Sequence, residues 1–104
     1  MKLVTVSIKD PLERVPLTFD FTAAMDAADS LSGCGVVVEA VVAGADGSPN
    51  TLLDGAPTTS GKRAVQWIRL GVDGASYRVR ATATTTQGRT LVLRTIVPVR
   101  SVLA

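Results

Sequence analysis

Few side chains in this 104-residue sequence are of the types that carry out catalysis. The chain contains no histidine and a single cysteine, Cys34. Because a histidine base normally activates a serine or cysteine nucleophile, Ser–His and Cys–His pairs are excluded. The acids Asp10 and Glu13 could exchange protons with a substrate, but exposed charges beside a proline turn are much commoner. The sequence therefore predicts a protein that is not an enzyme.

Metal-binding and phosphate-binding patterns are equally sparse. A zinc ion would depend on Cys34 and carboxylates, which form a poor ligand set. The segment Ser60-Gly61-Lys62 lacks the upstream glycine of a phosphate-binding loop. The segment Asp46-Gly47-Ser48-Pro49-Asn50 is similar to the start of a calcium loop but has no terminal glutamate, so we interpret it as a solvated turn. We therefore expect no cofactor and no metal.

The charge and hydropathy of the chain narrow its partners. A net charge of +2 is too weak to indicate nucleic acid, and no lysine or arginine cluster is interleaved with aromatic residues. No apolar run approaches the ~20 residues that cross a bilayer. The segment Met1–Ser7 is too short an apolar stretch for a signal peptide. We therefore expect no membrane partner, a mature protein that begins at Met1, and synthesis in a cytoplasm.

The sequence predicts that any functional site would be positioned by short β-strands. Alternating apolar runs are separated by Gly, Pro, Asp and Thr. We interpret Ala23–Leu31 as a turn or a single-turn connector and Ala56–Gly61 as a loose polar connector. About seven antiparallel strands with almost no helix predict an all-β fold, an immunoglobulin-like β-sandwich forming a single domain over residues 1–104. The predicted strands are Leu3–Ile8, Leu17–Thr22, Val36–Val42, a short edge strand at Thr51–Leu53, Lys62–Leu70, Tyr77–Thr86 and Arg89–Val99.

One segment carries a specific structural pattern. Asp73, Ala75, Tyr77 and Val79 occupy alternate positions that lead from a turn into a long strand. This spacing is typical of the tyrosine corner of immunoglobulin-like sandwiches, in which the phenol hydroxyl bonds to backbone near the preceding turn. We therefore assign Asp73 and Tyr77 a structural role; the alternative is an ordinary strand start that contains an aromatic residue.

Three further side chains have two interpretations each. Trp67 facing inward would belong to the sandwich core, which is the interpretation we favour, and facing outward it would be a binding anchor. Arg78 and Arg80 lie on the opposite side of their strand from Tyr77. We interpret them as a solvated sheet face, with a surface for an acidic partner as the alternative.

Several segments follow one another in a characteristic order: Lys9-Asp10-Pro11, Glu13, Leu17–Phe21, Met25–Val38 with Asp29-Ser30-Leu31, Trp67–Gly71, Tyr77, Thr82–Thr86 and Gly88-Arg89-Thr90. Their order resembles that of a family of small immunoglobulin-like proteins of tailed bacteriophages, the fiber-tail adaptors. The resemblance runs from about Lys9 to Val99. Phe21 stands where the family pattern leads us to expect Trp, Val36 replaces another aromatic residue, and Ser101–Ala104 is an additional apolar tail.

The resemblance implies a virion structural protein that links the neck or tail to fibres through static contacts. The implied partners are other virion proteins, namely neck or tail connectors and fibre or baseplate components, and further copies of the chain in symmetric arrangement. Met1–Ser7 and Val99–Ala104 are apolar enough to act as connecting arms. Two other functions stay open: a capsid decoration protein, and a sandwich domain that binds a carbohydrate or a receptor.

Overall fold

Two antiparallel sheets enclose the hydrophobic core of the chain. The computed structural model describes residues 4–5 and 9–101; most of the predicted strand Leu3–Ile8 and of the two predicted arms therefore lies outside the described residues. The strands are β1 (Val4–Thr5), β2 (Val15–Asp20), β3 (Leu31–Ala43), β4 (Thr58–Ser60), β5 (Arg63–Ile68), β6 (Ser76–Thr85) and β7 (Thr90–Pro98). Two short 3-10 helices, Thr22–Ala24 and Pro49–Leu52, lie in the connections.

The order of the strands identifies the topology. One sheet has the order β1-β2-β5-β4 and the other has the order β3-β6-β7. With the strands lettered A to G, these are the ABED and CFG sheets of an immunoglobulin constant-type sandwich. The structure therefore confirms the predicted all-β, immunoglobulin-like fold.

The predicted number of strands needs a correction. Six strands in the described residues have three or more residues, against about seven predicted, and β1 is a pairing of only two residues with β2. The predicted edge strand Thr51–Leu53 is wrong: most of this segment belongs to the 3-10 helix Pro49–Leu52. Proline is suited to the first position of a helical turn because its missing amide would have no partner there. An edge strand forms instead in the predicted connector, at Thr58–Ser60.

The core follows the alternation of the strands. Leu17, Phe19 and Phe21 lie at alternate positions, which an extended strand puts on one face, and all three are buried. On the opposite sheet, the inward positions of β6 are fully buried from Tyr77 to Ala83. Burying each large apolar side chain contributes roughly 1.5–3 kcal/mol, so these two rows supply much of the stability.

A buried carboxylate joins two connections at one end of the sandwich. Asp29 Oδ1 accepts hydrogen bonds from the Thr86 hydroxyl at 2.9 Å and from the Gln87 amide at 3.2 Å. Burial alone would raise the pKa of Asp29, but the hydrogen bonds from Thr86 and its neighbours lower it overall. The β2–β3 connection and the β6–β7 hairpin are therefore held together.

Across the described ranges, no helix has the length and apolar character needed to span a bilayer.

Candidate interaction surfaces

Tyr77 is fully buried at the start of β6, and its hydroxyl makes two hydrogen bonds. The hydroxyl accepts from the Val72 amide at 2.8 Å and donates to Asp46 Oδ2 at 2.8 Å. Burial raises the pKa of Tyr77, and the neighbouring Asp46 carboxylate adds to the rise. The hydroxyl thus joins the β5–β6 connection to the β3–β4 connection.

Asp73, the other residue of the predicted tyrosine corner, contacts the chain just beyond β7. Its Oδ1 atom accepts a hydrogen bond from the Ser101 amide at 2.9 Å, and this bond lowers the pKa of Asp73. The acid at the Tyr77 hydroxyl is Asp46, which also accepts from the Ser48 amide at 2.8 Å. No local sequence pattern indicates this contact, because Asp46 and Tyr77 lie 31 residues apart.

A buried lysine holds the loops at the same end of the molecule. The Lys9 side chain is 1% exposed, and its ammonium donates to the Leu70 carbonyl at 2.6 Å and to the Asp10 carbonyl at 2.8 Å. Burial lowers the pKa of Lys9, while Glu13 and Asp10 oppose that shift. The sequence does not indicate that Lys9 is buried and bonds to two loop carbonyls, because a lysine before Asp-Pro is typical of the polar end of a strand.

Leu70 is held by Lys9 in a strained conformation that displays its side chain. Its φ angle of 56° lies in the left-handed region, and no other non-glycine residue in the described ranges has a positive φ. Such strain costs roughly 1–3 kcal/mol and concentrates at functional positions. The Leu70 side chain is 51% exposed, and that of Leu12, next to the Lys9–Asp10 turn, is 95% exposed. We call this surface, which also includes Val72, the Leu70 end.

The predicted core position of Trp67 is wrong. Trp67 is 37% exposed and lies on the outer face of its sheet, because the alternate residues Ala64, Gln66 and Ile68 take the inward positions of β5. The Arg14 guanidinium stacks over the indole ring at 4.3 Å from its centroid and also forms an ion pair with Asp54. Within this ion pair, the hydrogen bond that Arg14 donates lowers the pKa of Asp54.

Three arginines surround one glutamate on the outer face of the other sheet. Glu39 on β3 lies 2.9 Å from Arg78 Nε, 3.0 Å from Arg80 Nη1 and 3.0 Å from Arg94 Nε. The hydrogen bond from Arg94 is the main reason that the pKa of Glu39 is lowered; partial burial opposes this effect, and Arg78 adds to it. The sequence placed Arg78 and Arg80 on an outward face but did not reveal Glu39 and Arg94, which reach them through strand pairing.

Apolar side chains flank this cluster on the same face. Each of the four is between 39% and 46% exposed. Three arginines and one glutamate leave the face with a charge of +2, which equals the formal charge of the whole chain. We call this the CFG face, after the strand letters of its sheet. Its apolar members are Val37, Val42, Val92 and Ile96.

Asp10 and Glu13, the acids considered for proton exchange with a substrate, accept hydrogen bonds from backbone amides. Glu13 Oε1 accepts from the Asp10 amide at 2.8 Å, and Asp10 Oδ1 accepts from the Leu12 amide at 2.8 Å. Within residues 9–101, no group of three or more acids and cysteines is arranged to hold a metal ion. Cys34 lies within β3, half-buried, and burial raises the pKa of its thiol. The candidate functional features are therefore surfaces.

The fold and these surfaces match a known family. The model of the family described as "Podophage GP4 fiber-tail adaptor protein gp77" matches residues 9–98. The chain belongs to this family. The match confirms the resemblance inferred from the sequence and identifies the chain as a structural adaptor of a phage tail. It extends from Lys9 through β7 and so includes both the Leu70 end and the CFG face. A search of curated proteins found no match to the chain.

Replacing Tyr77 with Phe tests the role of its hydroxyl. We expect Tyr77→Phe to lower the free energy of unfolding by about 1 kcal/mol, because the Val72 amide and the Asp46 carboxylate lose a shared partner. Urea unfolding of the variant and the wild type measures the change. Trp67→Phe, a change at an exposed aromatic residue, is the control. An unchanged midpoint for Tyr77→Phe would contradict the assigned role.

The charge cluster of the CFG face gives stability a defined pH dependence. The pKa of Glu39 is lower in the folded chain than its ordinary value of 4.5, so its contribution is present above that value and is lost as the pH falls through the folded-state pKa. We expect Glu39→Gln to be less stable than the wild type at pH 7 and the difference to disappear in acid. Thermal unfolding of both proteins over a pH series measures the difference in stability. A difference that is constant with pH would show that the charge of Glu39 does not contribute.

Proposed function

We propose that this chain links the neck or tail of a phage particle to its fibres through static protein–protein contacts, in several symmetric copies. The observation that carries the proposal is the family match, which spans nearly all of the described sandwich. A protein of this kind needs a rigid scaffold with two separate contact surfaces. We infer that it works without catalysis, in the virion, after assembly in the host cytoplasm.

The two surfaces described above supply what a bridging protein requires. The Leu70 end consists of loops tied together by the Lys9 ammonium, and the CFG face is the flat outer side of β3, β6 and β7. Both expose apolar side chains that a partner would remove from water. Because the surfaces belong to different parts of the sandwich, one chain has room for two different neighbours.

Symmetric assembly would strengthen contacts made through these surfaces. A ring places the same surface of every copy in the same environment, so contacts that are weak in one copy act together in the ring. The predicted arms would add reach between copies. Of these arms, the structure describes only Val4–Thr5 and residues 99–101, and Ser101 is held at its amide by Asp73.

The location of the chain in the particle tests the proposal. Particles are separated into heads and tails, and the chain is located in each fraction by immunoblotting. We expect it in the tail fraction, with its loss removing fibres but not heads. Detection on the head shell would indicate a decoration protein and overturn the proposal, and so would fibre attachment that persists without the chain.

Deletion of Met1–Ser7 or of Ser101–Ala104 tests the arms. Each shortened chain is supplied to phage that lack the gene, and fibre content is compared with that of wild-type particles. We expect both deletions to prevent attachment of fibres, while circular dichroism shows a folded sandwich. The second deletion is the cleaner one, because the first also removes β1. Fibre-bearing particles formed by a chain with both deletions would refute the role of the arms.

Leu70 allows stability and function to be separated. Glycine adopts a φ of 56° without strain, so we expect Leu70→Gly to raise the free energy of unfolding by about 1 kcal/mol. If the Leu70 end binds a neighbour, the same variant should be incorporated less efficiently into tails. Val65→Ser, which shortens a partly exposed apolar side chain on the outer face of β5 and lies outside both surfaces, is a matched control for incorporation. A stabilised variant that is incorporated as well as the wild type would remove the Leu70 end from the proposed contacts.

A further inference from the structure

The strand edges of the sandwich differ in how well they are covered. The edge of β3 is occupied in part, because its Val38 amide donates to Asn50 Oδ1 at 3.1 Å and its Leu31 amide donates to the Gly61 carbonyl at 2.9 Å. Within the described residues, the outer strands of the other sheet, β1 and β4, comprise two and three residues. The strand β7 has nine residues and forms the remaining edge.

The register of β7 shows which of its backbone groups face outward. The Val99 amide donates to the Ala75 carbonyl at 2.9 Å, whereas the Pro98 carbonyl accepts from the Lys9 amide on the opposite side at 3.0 Å. Because backbone groups of an antiparallel strand alternate in direction, Leu91, Leu93, Thr95 and Val97 bond to β6. The amides and carbonyls of Val92, Arg94 and Ile96 therefore point away from the sheet. They have no backbone partner among the described residues.

An open edge of this length is unusual in a protein that stays monomeric. Natural proteins protect edge strands with prolines, lysines, bulges or covering loops, because free amides and carbonyls pair readily with another chain. Pro98 lies only at the end of β7, and the pairing of β7 with β6 has no bulge. The stretch from Val92 to Ile96, which none of the described residues covers, is therefore suited to receive a further strand.

The side chains at these open positions lie on the CFG face and define what such a strand must carry. Val92 and Ile96 are 43% and 44% exposed and flank Arg94. A strand added to β7 would place its own side chains beside these three, at alternate positions. Apolar residues suit Val92 and Ile96, and the charge of +2 on the CFG face favours an acidic residue beside Arg94.

We propose that β7 binds an extended segment of another virion protein, which joins the sheet as a fourth strand with an apolar–acidic–apolar pattern at alternate positions facing Val92, Arg94 and Ile96. The proposal rests on the adaptor function and specifies the chemistry of one partner. A second copy of the chain fits less well. Symmetric antiparallel pairing that used all three open positions would place Arg94 directly opposite Arg94 of the copy, and like charges opposite each other are destabilising.

Hydrogen exchange tests strand addition at the atoms concerned. Amide exchange is measured with residue resolution, by NMR for the free chain and by fragmentation mass spectrometry for the chain in purified tails. In the free chain, we expect Leu91, Leu93 and Thr95 to be protected and Val92, Arg94 and Ile96 to exchange rapidly. In tails, we expect all six to be protected.

Two variants separate strand addition from other contacts. Val92→Pro removes one outward amide and leaves the bonds to β6 in place, because edge strands tolerate proline at such positions. Arg94→Glu reverses the charge, and Arg89→Glu in the β6–β7 hairpin is its matched control. Synthetic peptides tiled across the fibre and tail proteins serve as probes. We expect the bound peptides to carry the apolar–acidic–apolar pattern. Arg94→Glu should weaken their binding by about tenfold, and Val92→Pro should abolish it. Arg89→Glu should leave the binding unchanged.

The outcomes distinguish this proposal from the adaptor function. If the chain is present in tails but Val92, Arg94 and Ile96 exchange as fast as in the free chain, strand addition is wrong and the adaptor function stands. If the chain is absent from tails, both fail. A free chain that dimerises through protected Val92, Arg94 and Ile96 amides, with dimerisation lost in Val92→Pro, would show that the occupant is a second copy. Thermal unfolding of each variant confirms that a loss of binding is not a loss of folding.

Discussion

The position of β6 between β3 and β7 is the constraint on which the rest of the structure depends. Its side chains alternate strictly, so one row, including Tyr77 and Val79, is buried, while Arg78 and Arg80 face outward. A slip of one residue would bury two arginines and expose the tyrosine, which makes the register strongly specified. The Glu39 cluster and the open amides of β7 both follow from this register, because each is positioned by pairing with β6.

The two ends of β6 are fixed by polar groups rather than by further apolar packing. At the start, the Tyr77 hydroxyl connects Val72 and Asp46, and beyond the other end Asp29 holds the β6–β7 hairpin. The buried Lys9 ammonium fixes the neighbouring Leu70 carbonyl in the same manner. Buried polar groups are costly unless they are hydrogen-bonded, so each of these contacts specifies one loop arrangement. A rigid scaffold of this kind presents the same surfaces in every copy.

The extent to which the sequence predicted this structure depends on the distance between the interacting residues. Alternation placed Leu17, Phe19, Phe21 and Tyr77 in the core, since that signal is local. The same alternation puts Trp67 on the other side of β5 from Ile68, which is buried. The apolar character of tryptophan nevertheless led to the wrong prediction that Trp67 lies in the core. Contacts between distant segments, such as Asp46 with Tyr77 or Glu39 with three arginines, have no local signal and needed the paired strands. The left-handed Leu70 was equally hidden, because the lysine that holds it lies 61 residues away.

The central claim is that a rigid immunoglobulin-like sandwich joins two virion components through its surfaces. A cryo-electron microscopy reconstruction of the intact tail, at a resolution that traces strands, tests this claim most directly. The account predicts symmetric copies of the sandwich between the tail and its fibres, with the Leu70 end and the CFG face against different neighbours and β7 continued by a strand from another protein. Copies spread over the capsid shell, or copies in the tail with both surfaces open to solvent, would contradict it.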